Sequence, residues 1–427
     1  MQFSADEDFA KQLDAEDPMR SFRDKFHVPL GKNGKPLIYF AGNSLGLMPK
    51  TAREVVDQEL EDWAKLGVDA HLGGKTPWYT YHEPLREPTA RMVGAKPVEV
   101  ICMNSLTMNL HLMMATFYRP TKSRFKILME DPAFPSDTYA IKTQIQHHGL
   151  DPKDALVLAN PRKGEFTVHT EDVVDLIEKN RDSLAVVWIA GVNFFTGQLF
   201  DVPTITNVAQ KHGITVGVDL AHAVGNVPLA LHDWNVDFAV WCSYKYLNAG
   251  PGAIAGVYLH ERHATNTKLA RFAGWFGNDP NTRFQMEKEF VPVASADAWQ
   301  VSNPPIFSMA PLRASYSIFD EAGGMEPLRG KSVKLTGYLE FLLNETSASA
   351  ARTSKRYSII TPRDANARGC QLSILAHEHP KELFQELQAA GVKCDFREPN
   401  VIRVAPTPLY NTFHEVWRFG TILGAHQ

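Results

Sequence analysis

Trp241-Cys242-Ser243-Tyr244-Lys245-Tyr246-Leu247-Asn248-Ala249-Gly250-Pro251-Gly252 ends an apolar run in an amine and then a glycine-rich turn. Upstream, Val216-Gly217-Val218-Asp219-Leu220-Ala221-His222 ends a second apolar run in a carboxylate and a histidine. Strand-like runs that each stop at a polar group suggest a sheet that delivers its chemistry at the carboxyl ends of its strands. Neighbouring segments share the habit. Val98 to Met103 reads as a strand, and Ser105 offers an N-cap for a helix from Leu106 through Met114. Phe125 to Met129 reads as another strand, followed by a loop from Asp131 to Asp137. Asp172 to Lys179 reads as a helix capped by Thr170, and Leu184 to Ile189 as a strand. Pro203 to His212 is a helix stopped by Gly213, Ile214 to Val218 the strand carrying Asp219, and Phe238 to Cys242 the strand delivering Lys245. This alternation predicts β-α-β units around a mostly parallel sheet flanked by helices.

After Asn303-Pro304-Pro305 the pattern changes. A long helical region is expected from Ser308 to Leu343, then an exposed Ser/Ala/Thr-rich linker from Asn344 to Arg356. The remainder reads as strand (Cys370 to Leu375), helix (Pro380 to Ala390), strand (Val392 to Phe396), strand (Val401 to Val404) and helix (Phe413 to Leu423). The division predicted is a segment 1–60 packing with a small domain, a large α/β domain 61–305, and a small C-terminal α+β domain 306–427.

The chain has 427 residues, 44% of them hydrophobic and 22% charged, with a net charge of −4. It is long enough for a large core and two domains. Its charge argues against a general nucleic-acid binder. The longest apolar run, Leu184 to Val192, is too short to span a bilayer, and the acidic start Met1 to Asp8 lacks a signal-peptide core. Four cysteines without C-x-x-C spacing fit a reducing, cytoplasmic compartment. Metal sites are not expected from the scattered histidines, nor a serine hydrolase without G-x-S-x-G.

Lysine alone after a strand is usually a solvated surface residue. Asp219 changes the reading. An amine can form a Schiff base with an aldehyde, and a carboxylate can keep a pyridine nitrogen protonated, so the pair points to pyridoxal 5'-phosphate. Asp219 alone suits a turn cap, and His222 alone suits a hydrogen-bonded core histidine. Leu106 and Thr107 open a helix whose N–H groups can take a phosphate, although a plain capped helix explains them too. Phe134-Pro135-Ser136-Asp137 supplies an aromatic face, a hydroxyl and a carboxylate, or a bare turn. Gly42-Asn43-Ser44-Leu45-Gly46, the segment around Trp275, and Ser302-Asn303-Pro304-Pro305 read as turns able to approach a ligand.

Together these segments resemble the kynureninase family, in the class V aminotransferase group of fold-type I pyridoxal-phosphate enzymes. The resemblance rests on Tyr39 to Leu47, Met103 to His111, Ala133 to Asp137, Asp219 to Asn226, Trp241 to Gly252, Gly274-Trp275-Phe276-Gly277, Val301 to Pro305 and Ile402 to Pro406, in family order over nearly the whole chain. It implies that Lys245 carries the cofactor, that Asp219 pairs with the ring nitrogen, and that His222 lies near it. Leu106, Thr107, Ser136 and Asp137 are implied to bind the cofactor and Phe134 to stack on it. Tyr244 is implied as a proton relay and, with Trp275 and Asn303, as part of the cofactor-binding surroundings of the phosphate and substrate. Trp275 and Asn303 are implied to reach over from the partner of a homodimer. Ser44, His71 and Asn303 match substrate-contacting positions, and Arg403 the residue that grips the α-carboxylate. The implied reaction is hydrolysis of L-kynurenine, with its 3-hydroxy analogue, to the anthranilate and L-alanine, in tryptophan catabolism leading to NAD. Ala190 departs from the family, which often has a hydroxyl there. The nearest alternative, a cysteine desulfurase, needs a mobile exposed cysteine. Cys370 and Cys394 fall instead in strand-like patterns and are expected to be packed.

Overall fold

The computed structural model describes residues 2–286, 288–349 and 357–425. Seven strands form the large sheet: β1 (Val100–Cys102), β2 (Lys126–Glu130), β3 (Leu156–Ala159), β4 (Leu184–Ala190), β5 (Thr215–Asp219), β6 (Phe238–Cys242) and β7 (Ala255–Leu259). Their order is β1-β7-β6-β5-β4-β2-β3. Pairing is parallel throughout except for β7, which runs antiparallel to both β1 and β6. The carboxyl ends of the six parallel strands therefore share one edge, and Glu130, Ala190 and Asp219 are the last residues of three of them.

Alternation along the strands explains why they are apolar on both faces. Ile127, Met129, Val186, Trp188, Phe238 and Val240 enter one core, with helices Leu106–Phe117 and Pro135–His147. Their neighbours Leu128, Val187, Ile189, Ala239 and Trp241 enter the opposite core, with helices Thr170–Asn180 and Val202–Lys211. A period of two thus divides one run between two buried faces, which is the condition for a covered parallel sheet.

A smaller antiparallel sheet has the order β8-β9-β11-β10, from β8 (Tyr357–Ile359), β9 (Leu372–Ala376), β10 (Asp395–Arg397) and β11 (Val401–Val404). Leu372, Ile374, Ile402 and Val404 share a third core with Leu335, Leu339, Val416 and Phe419 of helices Met325–Ser349 and Phe413–Ala425. N-terminal residues contribute to it: Ala10, Leu13, Ile38 and Phe40 are buried there, and Ile38–Tyr39 pairs in parallel with Val392–Lys393. Met19, Phe22 and Leu47, in contrast, join the large-sheet core, as do Met309, Leu312 and Tyr316 of helix Ile306–Glu321.

Several expectations need correction. The helical stretch after Pro305 is two helices, Ile306–Glu321 and Met325–Ser349, broken at Gly323-Gly324. The expected linker is helical from Asn344 to Ser349, because alanine, serine and glutamate continue a helix once its apolar face is packed; residues 350–356 lie outside the described residues. Thr170 is the first helical residue, and His169 occupies the cap position. The run Val392 to Phe396 is split between two sheets.

Candidate active site

Asp219 ends β5, and Lys245 lies three residues beyond the end of β6, in the adjacent parallel strand. Gly250 and Gly252 both take positive φ, as the tight turn after Lys245 requires. The loop Gly42–Gly46 is seated against this turn: Gly46 N–H donates to Tyr244 O at 2.9 Å. A Cβ at Gly46 would overlap the carbonyl oxygen of Lys245, so only glycine permits this approach. The half-buried Lys245 Nζ sits 5.7 Å from the centroid of Phe134 and 5.9 Å from that of Tyr244. Phe134 is held edge-on by Phe194, with centroids 5.2 Å apart.

Three buried acids gather behind this amine. Asp219 Oδ1 accepts the Ala221 N–H at 2.8 Å. Asp137 Oδ2 accepts from Trp188 Nε1 at 3.2 Å, and its carboxyl is within hydrogen-bond reach of Asp219. Burial first, then Asp219 and Glu130, push the Asp137 pKa well up. Burial raises Asp219 as well, but Lys245, the Ala221 N–H and the Asp137 hydroxyl pull it back toward the carboxylate. Glu130 was not singled out from the sequence, although it ends an apolar strand just as Asp219 does. Its Oε2 accepts the Ala190 N–H at 3.2 Å, and burial lifts its pKa to about 8.

His222 is buried and lies in the field of Lys245, Arg403 and Arg397; burial, then those cations, hold it well below its usual pKa and keep it neutral. His222 Nδ1 is buried without a hydrogen-bond partner among the described residues. Orphaned polar atoms of this kind call for a ligand. A ring with a protonated nitrogen and an aldehyde fits: a carboxylate for the nitrogen, an amine for the aldehyde, and an aromatic face at Phe134.

Phosphate-compatible groups lie at the same edge. Leu106 and Thr107 are the first residues of the helix after β1, where N–H groups lack intrahelical partners. Ser105 occupies the cap position without a side-chain cap bond. The expected turn at Pro135-Ser136-Asp137 is in fact the first turn of a second helix, Pro135–His147, capped by Phe134, with proline at its permitted place. The site is thus framed by two helix N-termini, only one of which the periodicity suggested.

Arg403 is buried, and its fork is already engaged. Nε donates to Asp395 Oδ1 at 3.0 Å, Nη2 reaches Asp395 Oδ2 at 2.7 Å, and Nη1 donates to Phe194 O at 2.7 Å. Two of its five N–H groups are left for another acceptor. Tyr244 is half-buried, and burial raises its phenol pKa, which keeps it a proton donor. Ser44, His71, Trp275 and Asn303 are exposed. His71 meets Trp78 edge-on, and Trp275 Nε1 donates to Arg283 O at 3.2 Å. Among the described residues, no hydrogen bond or ring contact joins His71, Trp275 or Asn303 to Lys245.

All four cysteines are buried. Burial pushes the thiols of Cys370 and Cys394 up to about 12, which leaves almost no thiolate at neutral pH.

Comparison with known proteins matches this arrangement. The family profile "Kynureninase C-terminal domain" matches residues 328–423, and "Aminotransferase class I and II" matches residues 41–234. A kynureninase of Myxococcus xanthus is 54% identical over 99% of this chain and 98% of its own length. One from Koribacter versatilis is 51% identical over 98% and 97%, and one from Nematostella vectensis 48% identical over 98% and 93%. Solved structures share the fold at low identity. An apo cysteine desulfurase of Thermococcus onnurineus has a TM-score of 0.72 at 18% identity, covering 91% of this chain and 94% of that one. The cystine C-S lyase C-DES, in complex with cysteine persulfide, has a TM-score of 0.76 at 16% identity, with 91% and 97% covered.

Proposed function

The chain belongs to the kynureninase family, and on that premise we propose how its residues divide the work. It is a pyridoxal-phosphate enzyme that hydrolyses the Cβ–Cγ bond of L-kynurenine, giving anthranilate and L-alanine. The cofactor supplies an aldehyde for the substrate amine and a ring that accepts electrons from the α-carbon. Lys245 would hold it through its side-chain amine, and that amine, when free, would take and return the substrate α-proton. Asp219 faces the ring nitrogen as a carboxylate and keeps it protonated. Asp137, neutral, donates to Asp219 and fixes its orientation. His222, also neutral, presents its unpartnered Nδ1 to the ring substituents. Phe134 covers the ring face. The N–H groups of Leu106 and Thr107 and the Ser136 hydroxyl hold the phosphate.

On the substrate side, Arg403 directs its two remaining N–H groups at the α-carboxylate, its orientation fixed by Asp395. Tyr244, held protonated by burial, donates to the γ-carbonyl oxygen as water adds there. Ser44 and His71 face the aryl ketone. Trp275 and Asn303 act on the site of a second copy, as their exposure in the single chain fits. A homodimer is also favoured by the apolar exposed face of Trp63, Val68, Leu72 and Phe307, which a monomer would leave in water. We also propose the division 1–60, 61–305 and 306–427, with helix Ile306–Glu321 as the part of the last segment that stays packed on the large sheet. Among the described residues no helix is long and apolar enough to cross a membrane. The cytoplasm and a place in tryptophan catabolism toward NAD are the setting we propose.

The observation that carries this reading is Lys245 opposed to the buried Asp137–Asp219 pair beneath Phe134. Its test is product analysis with L-kynurenine, 3-hydroxykynurenine and L-cysteine offered in parallel. Anthranilate or its 3-hydroxy form is expected from the first two, without sulfide from the third. Sulfide release with both kynurenines untouched would replace this reading with a desulfurase.

A further inference from the structure

Helices Leu106–Phe117 and Pro135–His147 start beside the Lys245 site and run away from it. At about 1.5 Å per residue, their far ends lie on the order of 20 Å from that site. Between these ends and the segment Ala270–Phe272 opens a cavity of about 580 Å³. Arg119, Arg271, His111, His147 and His148 line it, and no carboxylate does. In a chain of net charge −4, that is a local excess of one sign.

The two arginines spend their hydrogen bonds on backbone carbonyls. Arg119 Nε donates to Thr116 O at 3.3 Å, and Arg271 Nε to Leu269 O at 3.0 Å. Arg271 is fixed by stacking on Trp299, 3.9 Å from the ring centroid. Its Nη1 is buried without an acceptor among the described residues. Burial, relieved by no anion, lowers the Arg271 pKa to about 10. His148 is held below its usual pKa by burial, then by His147 and Arg119. Thr143, Gln144, Ala115, Ala270 and the exposed ring of Phe272 form the rest of the lining.

We propose that this cavity is a second ligand site, separate from the Lys245 site, and that it takes a small aromatic carboxylate. Arg119 meets the carboxylate, with the fixed positive charge of the Arg271 guanidinium beside it. Phe272 and the two alanines meet the flat apolar body. A bare inorganic anion would leave most of the space to water, whereas volumes of this order suit small organic ligands.

Calorimetric titration of the cofactor-loaded protein with benzoate tests the proposal, with uncharged benzamide as the control. Benzoate is expected to bind and benzamide not. Arg119→Gln removes one cation without disturbing the stacked Arg271. It is expected to weaken benzoate at least about fivefold, with kynurenine turnover unchanged. His148→Gln added to it should weaken binding further. Absence of benzoate binding, equal binding of benzamide, or an affinity unmoved in both variants overturns the proposal. The last of these would place any bound benzoate at the Lys245 site.

Discussion

Arg403 and Asp395 form a buried two-point ion pair, Nε to Oδ1 at 3.0 Å and Nη2 to Oδ2 at 2.7 Å. The pair leaves Arg403 rigid and part of its fork unspent. A lysine can replace the charge but neither the geometry nor the contact with Phe194 O. Arg403→Lys is expected to lose about 2 to 3 kcal/mol of transition-state binding, a drop of roughly 30- to 150-fold in kcat/KM. Most of it should fall on KM, as steady-state kinetics with L-kynurenine will show. Asp395→Ala strands a buried guanidinium and is expected to cost about 3 to 5 kcal/mol of stability, read from denaturant unfolding.

Asp137 and Asp219 predict different responses to neutral substitution. Burial pushes Asp137 toward the neutral acid, and Asp137→Asn keeps a neutral donor toward Asp219, so it is expected to retain turnover within about tenfold. Asp219→Ala removes the carboxylate opposite the ring nitrogen and is expected to lose at least about 100-fold in kcat while still taking up cofactor. Absorbance titration with pyridoxal phosphate measures the uptake. Equal turnover in the two variants would contradict the division of roles.

Glu130 sets a pH dependence of stability. Its pKa rises through burial from 4.5 to about 8 in the folded protein. Between those values the folded state binds the proton that the unfolded state has released. The stability it contributes is therefore complete below about pH 4.5 and lost as pH rises through about 8, on the order of 5 kcal/mol at most. Glu130→Gln, which cannot ionise, is expected to flatten the decline in unfolding free energy between about pH 5 and about pH 9. A decline of unchanged slope would mean that Glu130 ionises normally.

Much of the site was readable because the strand ends announce it. Phe238–Cys242 and Val401–Val404 fall where the apolar runs place them, and Asp219 and Lys245 follow directly. Other features depend on contacts across the chain. Glu130 carried the same signal as Asp219, an acid closing an apolar run, but lacked a histidine or glycine turn to draw notice. Asp395 stood in a run expected to be one strand, and only the split of that run turns it toward Arg403. The helix Pro135–His147 was hidden because its first turn reads equally well as a proline loop. Helical Asn344 to Ser349 shows a packed helix, Met325–Ser349, propagating into a stretch of polar composition.

The most direct test of the central claim is anthranilate fluorescence from cofactor-loaded protein given L-kynurenine, with Lys245→Ala measured beside it. The unaltered protein is predicted to release anthranilate continuously, and Lys245→Ala to fall by at least about 1,000-fold while still binding the cofactor without a covalent link. Turnover by Lys245→Ala at the rate of the unaltered protein would contradict the assignment of Lys245 as the amine on which the reaction depends.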